Sequence, residues 1–268
     1  MRLFVTGATG WIGSAVVPEL IGAGHEVVGL ARSDASAAAL EAAGAEARPG
    51  TLDDLDALTA AAAASDGVIH LAYRHDLVFT GDFAGSVAAD RRAIDALGAG
   101  LTGTGRPLVI ANGFPLAAGR TITERDALTP ENAGPRAGSE QALLALAPSG
   151  VRAVSVRLGR SVHGAGDPGF VAALVDVARE RRVAGYVGDG ANRWPAVHRS
   201  DAARLFRLAA ESAPAGSVVH AVAEEGVPMR AIAEAIGEQL GVPPPPSSPS
   251  TSAGWARSPR PTAPPRAR

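Results

Sequence analysis

The chain of 268 residues has no cysteine and no lysine, and all 25 of its basic residues are arginine. Without cysteine there is no disulfide framework, no thiolate nucleophile and no cysteine-ligated zinc. The missing lysine goes with an abundance of Ala, Gly and Pro, as in GC-rich coding. Aromatic residues make up only 4%, and Tyr73 and Tyr186 are the two phenols. A net charge of −2 leaves no basic footprint for nucleic acid and no polybasic face for a membrane. No apolar run approaches the roughly 18–20 residues of a membrane span, and no charged leader precedes the first apolar run. These features predict a cytoplasmic protein with no nucleic-acid or membrane partner. No metal-ligand pattern stands out, and none is expected.

The chain is long enough for one large α/β domain with a small appendage. Its organising stretch is Arg2 to Gly13, RLFVTGATGWIG. A short apolar strand turns through Gly7, Gly10 and Gly13 into an amphipathic segment, which aims a helix's unpaired N–H groups and positive dipole end at one point. Gly7 permits the tight turn, Gly10 lets the backbone approach a diphosphate, and Gly13 lets the helix pack on its strand. Thr9, Trp11 and Ile12 lie in the same turn, so all six are expected cofactor contacts. The helix is expected over about 11–21, with Pro18 kinking or shortening it.

A second strand is expected over 25–34. Ala31 stands where NAD enzymes carry an acid for the ribose 2′-hydroxyl, and Arg32 and Ser33 follow, suited to a 2′-phosphate. This favours NADP(H), with NAD(H) possible; the alternative is that Arg32 is a solvated loop residue. A helix (34–43), a strand (45–48) and a helix (about 53–64) follow, the last capped by Asp53. Leu52 precedes it as a further cofactor contact. GVIHLA (67–72) reads as a buried parallel strand, and its end, Leu71 and Ala72, should pass beside the cofactor. Tyr73, Arg74 and His75 should lie in or near the cleft. A long helix (about 85–97), a strand (106–113), a strand (151–159), a helix (about 170–182), a strand (217–221) and an amphipathic helix (227–241) complete the pattern.

TGATGWIG, GVIHLA, RLGRSVHGAGD (157–167) and VGDGANRWPAVHRSDAARL (187–205) resemble the short-chain dehydrogenase/reductase superfamily. The resemblance is to its extended branch of NAD(P)-dependent epimerases, dehydratases and reductases, and it covers about residues 1–240. It implies a doubly wound parallel sheet, the Rossmann fold, with a small C-terminal substrate lobe. The expected division is 1–160, 161–242 and a Pro/Ser/Arg-rich segment over 243–268. It also implies a small-molecule substrate, a possible homodimer and hydride transfer at a carbonyl or hydroxyl carbon of a small or nucleotide-linked compound.

The family's Tyr-x-x-x-Lys pair is absent. Matching the exit of the 106–113 strand puts Asn112 at the family's Ser, and matching GPRAGSEQALLAL (134–146) puts Arg136 at the Tyr and Glu140 at the Lys, with Ser139 kept. Asn112 could bind a carbonyl, and Tyr73, His163 or another histidine could supply a proton. Each histidine can equally be structural, and Glu140 with Arg136 can be a helical ion pair. An oxidoreductase and a non-catalytic NADP(H)-binding sensor both remain open. So do two readings of residues 243–268, which hold nine Pro and no acid: a polyproline arm, or an out-of-frame replacement for the end of the substrate lobe.

Overall fold

A computed structural model describes residues 1–115 and 119–243; the segment expected over 243–268 lies, from residue 244 on, outside the described residues. The elements run β1 (Arg2–Thr6), α1 (Gly13–Gly22), β2 (Glu26–Ala31), α2 (Asp34–Ala42), β3 (Glu46–Pro49), α3 (Leu55–Ala63), β4 (Gly67–His70), α4 (His75–Phe79) and α5 (Phe83–Leu101). Then come β5 (Pro107–Gly113), α6 (Pro130–Ala133), α7 (Ala137–Leu144), β6 (Arg152–Leu158), β7 (Ser161–His163), α8 (Phe170–Arg181), β8 (Arg193–His198), α9 (Arg199–Ser212), β9 (Ser217–Ala221), β10 (Glu224–Pro228) and α10 (Met229–Leu240).

Seven strands form one sheet in the order β3-β2-β1-β4-β5-β6-β9, and every pairing in it is parallel. This is the expected doubly wound α/β Rossmann fold, with the order reversing between β1 and β4. The strands read as apolar runs because both faces are covered. One core joins Leu3, Val5, Val17 and Leu20 to Phe206 of α9. The other joins Phe4, Val68 and Leu108 to Leu58 of α3 and Leu97 of α5. A short second sheet has the order β10-β8-β7. In it β7 and β8 pair in parallel, Val162 opposite Val197.

The division of the chain differs from that expected at residue 160. One unit comprises Met1–Val171 with Pro195–Glu225, and the other Ala172–Trp194 with the chain from Gly226 on. The excursion is interrupted because β9 must return to pair with β6 in the main sheet. The second unit packs Leu174 and Ala178 of α8 against Ala233 and Ile236 of α10.

Three local expectations are corrected. Helix α1 begins at Gly13 rather than Trp11 and continues past Pro18 to Gly22. Asp53 does not cap α3; it pairs with Arg74 at 3.0 Å, while Asp54 accepts hydrogen bonds from the Thr51 N–H and hydroxyl at 2.7 and 2.9 Å. The strand ending at Ala72 stops at His70, because the chain beyond turns toward the glycine loop.

Candidate functional site

At the carboxyl end of β1 the chain folds into a cradle. Gly7 has φ +66°, a conformation L side chains rarely adopt, and a Cβ there would stand 2.6 Å from the Ala72 nitrogen. A Cβ at Gly13 would stand 2.1 Å from the Gly7 carbonyl oxygen, so only glycine lets α1 start this close to the loop. The Gly10 N–H donates to the Gly7 carbonyl at 2.9 Å, closing the turn. Among the described residues the backbone N–H groups of Trp11, Ile12 and Gly13 meet no acceptor, and α1 has neither a side-chain cap nor an acid in its first turn. Converging donors and a bare positive helix end suit an anion. Thr9 and Gly10 are exposed at the rim. Trp11 is held by its indole N–H, which donates to the Val162 carbonyl at 2.7 Å, and the Arg199 guanidinium lies 4.1 Å from its ring centroid. Sequence reasoning missed Arg199, which carries no short-range signal linking it to the turn.

Next to the cradle, Arg32, Ser33, Gly50 and Thr51 line a hollow of about 170 Å³. Arg32 is exposed and so accessible to an anion. The Ser33 hydroxyl is already engaged, since it accepts from the Ser36 N–H at 3.2 Å and caps α2. Leu52 belongs to the buried core that holds Leu58 and Val28, and Leu71 packs against the opposite core from the one Ala72 joins. Ala72 donates its N–H to the Thr6 hydroxyl at 3.3 Å.

That hydroxyl opens a buried polar chain that no sequence pattern announced. Thr6 Oγ1 lies 2.6 Å from His70 Nδ1, His70 Nε2 lies 3.2 Å from Asp90 Oδ1, and the Ser139 hydroxyl donates to Asp90 Oδ2 at 2.5 Å. Every member is satisfied when His70 carries its proton on Nε2. Burial works to raise the Asp90 carboxyl, but hydrogen bonding and charge from His70, with Arg136 and Ser139, outweigh it and hold the group below the ordinary carboxylate range.

Beside this chain, at the ends of β4 and β5, Arg136 stacks on Tyr73 and is tied to the Ala111 carbonyl, next in sequence to Asn112. Asn112 is 1% exposed; its Oδ1 accepts from the Gly113 N–H at 2.7 Å and its Nδ2 meets no partner. Arg136 donates through Nη2 to the Ala111 carbonyl at 2.9 Å and stacks 4.0 Å from the Tyr73 ring centroid, while its buried Nε meets no partner. Tyr73 Oη accepts from the Ser86 hydroxyl at 2.7 Å, which leaves its own proton to donate. The His75 ring stands edge-on to Tyr73 at 5.2 Å, and its surroundings, with the Arg136 charge, push the imidazole below its usual value.

Glu140 and His163 go elsewhere. Glu140 does not pair with Arg136. Instead it takes a bidentate bond from Arg157, Nη2 to Oε1 at 2.5 Å and Nε to Oε2 at 2.9 Å, with the Ser155 hydroxyl on Oε2 at 2.7 Å. A planar fork inside the core outcompetes an exposed i, i+4 contact. His163 sits on β7, where it faces Glu224 at 3.7 Å and the His198 ring at a centroid distance of 5.5 Å rather than joining Asn112, Arg136 and Tyr73. Among the described residues no group of three metal-ligating side chains converges.

A model of the NAD-dependent epimerase/dehydratase family matches residues 3–80, the cradle and the first half of the sheet. An uncharacterized protein of Schizosaccharomyces pombe is 48% identical over 245 residues, 91% of this chain and 82% of that one. The chain belongs to the NAD-dependent epimerase/dehydratase family. An uncharacterized protein of Saccharomyces cerevisiae is 45% identical, with 91% and 82% covered. A ketoreductase of Stigmatella aurantiaca, named for a 4-hydroxy-2-methyl-3-oxo-4-farnesyl-3,4-dihydroquinoline-1-oxide, is 28% identical, with 90% and 74% covered.

Solved structures share the fold. The dTDP-glucose 4,6-dehydratase DesIV of Streptomyces venezuelae, as a double mutant, matches with a TM-score of 0.75 at 22% identity, covering 90% of this chain and 82% of that one. The UDP-glucose 4-epimerase of Thermus thermophilus, in complex with NAD, matches with a TM-score of 0.70 at 21% identity, covering 93% and 88%. This chain has no lysine, its Glu140 is paired with Arg157, and the buried Nε of its Arg136 meets no partner among the described residues.

Proposed function

We propose that this protein is an NAD(P)-dependent oxidoreductase that interconverts a carbonyl and a hydroxyl on a small substrate, with NADP(H) preferred. The free N–H groups of Trp11, Ile12 and Gly13 carry the reading, since glycines that tolerate no Cβ leave them open to a diphosphate. The exposed Arg32 beside its hollow supports a 2′-phosphate, and the lack of an acid at Ala31 favours the same choice. The likeness to the Stigmatella aurantiaca ketoreductase supports a reductase.

When bound, the nicotinamide supplies hydride to the carbonyl carbon or takes it from the alcohol carbon. In the reductive direction Asn112 Nδ2–H holds the carbonyl oxygen, and the Tyr73 hydroxyl, freed by accepting from Ser86, gives that oxygen its proton. Carbon gains the hydride and oxygen the proton, leaving an alcohol. NADPH fluorescence should shift on titration with the protein, with tighter binding than NADH, and Tyr73→Phe should lower kcat by roughly 100-fold or more while leaving NADPH binding intact. Equal or absent binding of the two nucleotides removes the Arg32 reading.

A second reading is a nucleotide-binding sensor. It is favoured by the buried Glu140–Arg157 pair, which fills the place of the family's lysine with a closed ion pair. Tight NADPH binding with no NADPH oxidation across a panel of aldehydes, ketones and nucleotide sugars would select it.

A further inference from the structure

The donors left open beside Tyr73 say what kind of molecule they await. Among the described residues only two buried side-chain atoms lack a hydrogen-bond partner, Asn112 Nδ2 and Arg136 Nε, and both are donors. The two residues meet at the end of β5, where the carbonyl of Ala111, the residue before Asn112, accepts from Arg136 Nη2 at 2.9 Å. A buried donor without an acceptor, and a guanidinium above all, is costly to leave so.

Arg157 is the opposite case. There the chain supplies its own carboxylate, Glu140, in a bidentate bond. For Arg136 the described residues supply none within ion-pair distance, and Asp90, which feels its charge, is already engaged by His70 and Ser139. The Arg136 fork is also held in place, stacked on Tyr73 and tied to β5.

Resting on the carbonyl-reductase reading, we infer that the substrate is an oxo acid. Its reacting carbonyl is taken by Asn112, and a carboxylate close to that carbonyl is taken by Arg136. A neutral donor at the end of β5 and a charged one tied to the same strand end match two oxygens of one molecule, one neutral and one anionic. A neutral sugar or a simple ketone would leave the Arg136 guanidinium without a direct anionic partner.

The test compares oxalate with its neutral isostere oxamide on the full chain, by calorimetry with and without NADPH. Oxalate should bind roughly tenfold to hundredfold more tightly than oxamide. Arg136→Gln should abolish that preference, and Arg136→Lys should restore part of it through charge without the fork. Should the glutamine variant not fold, the lysine variant carries the comparison, with circular dichroism as the check. Equal affinity for the two probes, or binding of neither, overturns the inference whether or not NADPH binds. Loss of NADPH binding with the oxalate preference intact would instead overturn the cofactor reading alone.

Discussion

Arg157 is 1% exposed near the end of β6, and it is tolerable there only because Glu140 meets it with two bonds while the Asp126 carbonyl takes a third at 2.8 Å. Removing one partner leaves the other as an unpaired charge inside the protein, which costs about 3–5 kcal/mol. Arg157→Met should therefore lower unfolding stability by about that amount, read from urea denaturation. The double variant Glu140→Leu with Arg157→Met should recover much of the loss, because neither charge then remains. A strictly additive result would mean that the pair does not couple. At this scale the sequence was only partly readable. An arginine inside VRAVSVRLG and an acid on an apolar helix face each hint at burial, since neither is left alone in a core. Their pairing is a fact of β6 lying against α7, and local spacing cannot express it.

The elements themselves were more legible. Strands β1, β2, β4, β5, β6 and β9 announced themselves as apolar runs, and the glycine spacing placed α1, because each signal is local. Strand β7 is three residues long and exists through its pairing with β8, and β10 and α4 likewise have no periodic signal of their own. The candidate site split the same way. Asn112, Arg136 and Tyr73 were found, from strand ends and family positions, whereas Ser86 and Asp90 reach the site from α5, a helix read only for its extent. Ser33 shows how an element can claim a residue expected to serve a ligand. Its hydroxyl is the cap of α2, so Ser33→Ala should cost about 1 kcal/mol of stability in thermal or urea unfolding. Arg32, one residue earlier and exposed, caps no helix. Arg32→Glu should leave stability nearly unchanged and shift preference from NADPH to NADH in a fluorescence titration; a parallel loss of both would argue against a 2′-phosphate contact.

For the whole molecule, acid should act in two steps because two kinds of buried group are displaced in the same direction. His220 is packed on the Phe114 ring at a centroid distance of 4.5 Å. Burial first, and the Arg157 charge after it, push its imidazole down against the pull of Glu124, Glu140 and Asp126. The folded state therefore keeps His220 neutral at a pH where the unfolded chain, with an ordinary histidine value of about 6.5, takes up a proton. Stability due to this group is full above about pH 6.5 and declines as pH falls toward the folded value, by at most about 1.4 kcal/mol per pH unit for one proton. His75 is lowered too, but it is exposed at the start of α4, so solvent screening leaves it a small share of the same decline. Asp90 has a folded value below the ordinary 3.8, so its contribution persists through that range and is lost only as pH drops further, through the folded value. Urea midpoints measured from about pH 7.5 to about pH 3 should thus fall in an upper and a lower stage. His220→Gln should flatten the upper stage and leave the lower one, while Asp90→Asn should make the lower stage shallower, at the cost of the bond to His70, without abolishing it, because Asp126 and Glu211 are lowered as well. An upper stage that survives both His220→Gln and His75→Gln would show that the imidazoles titrate alike in the folded and unfolded chain, contrary to the packing around them.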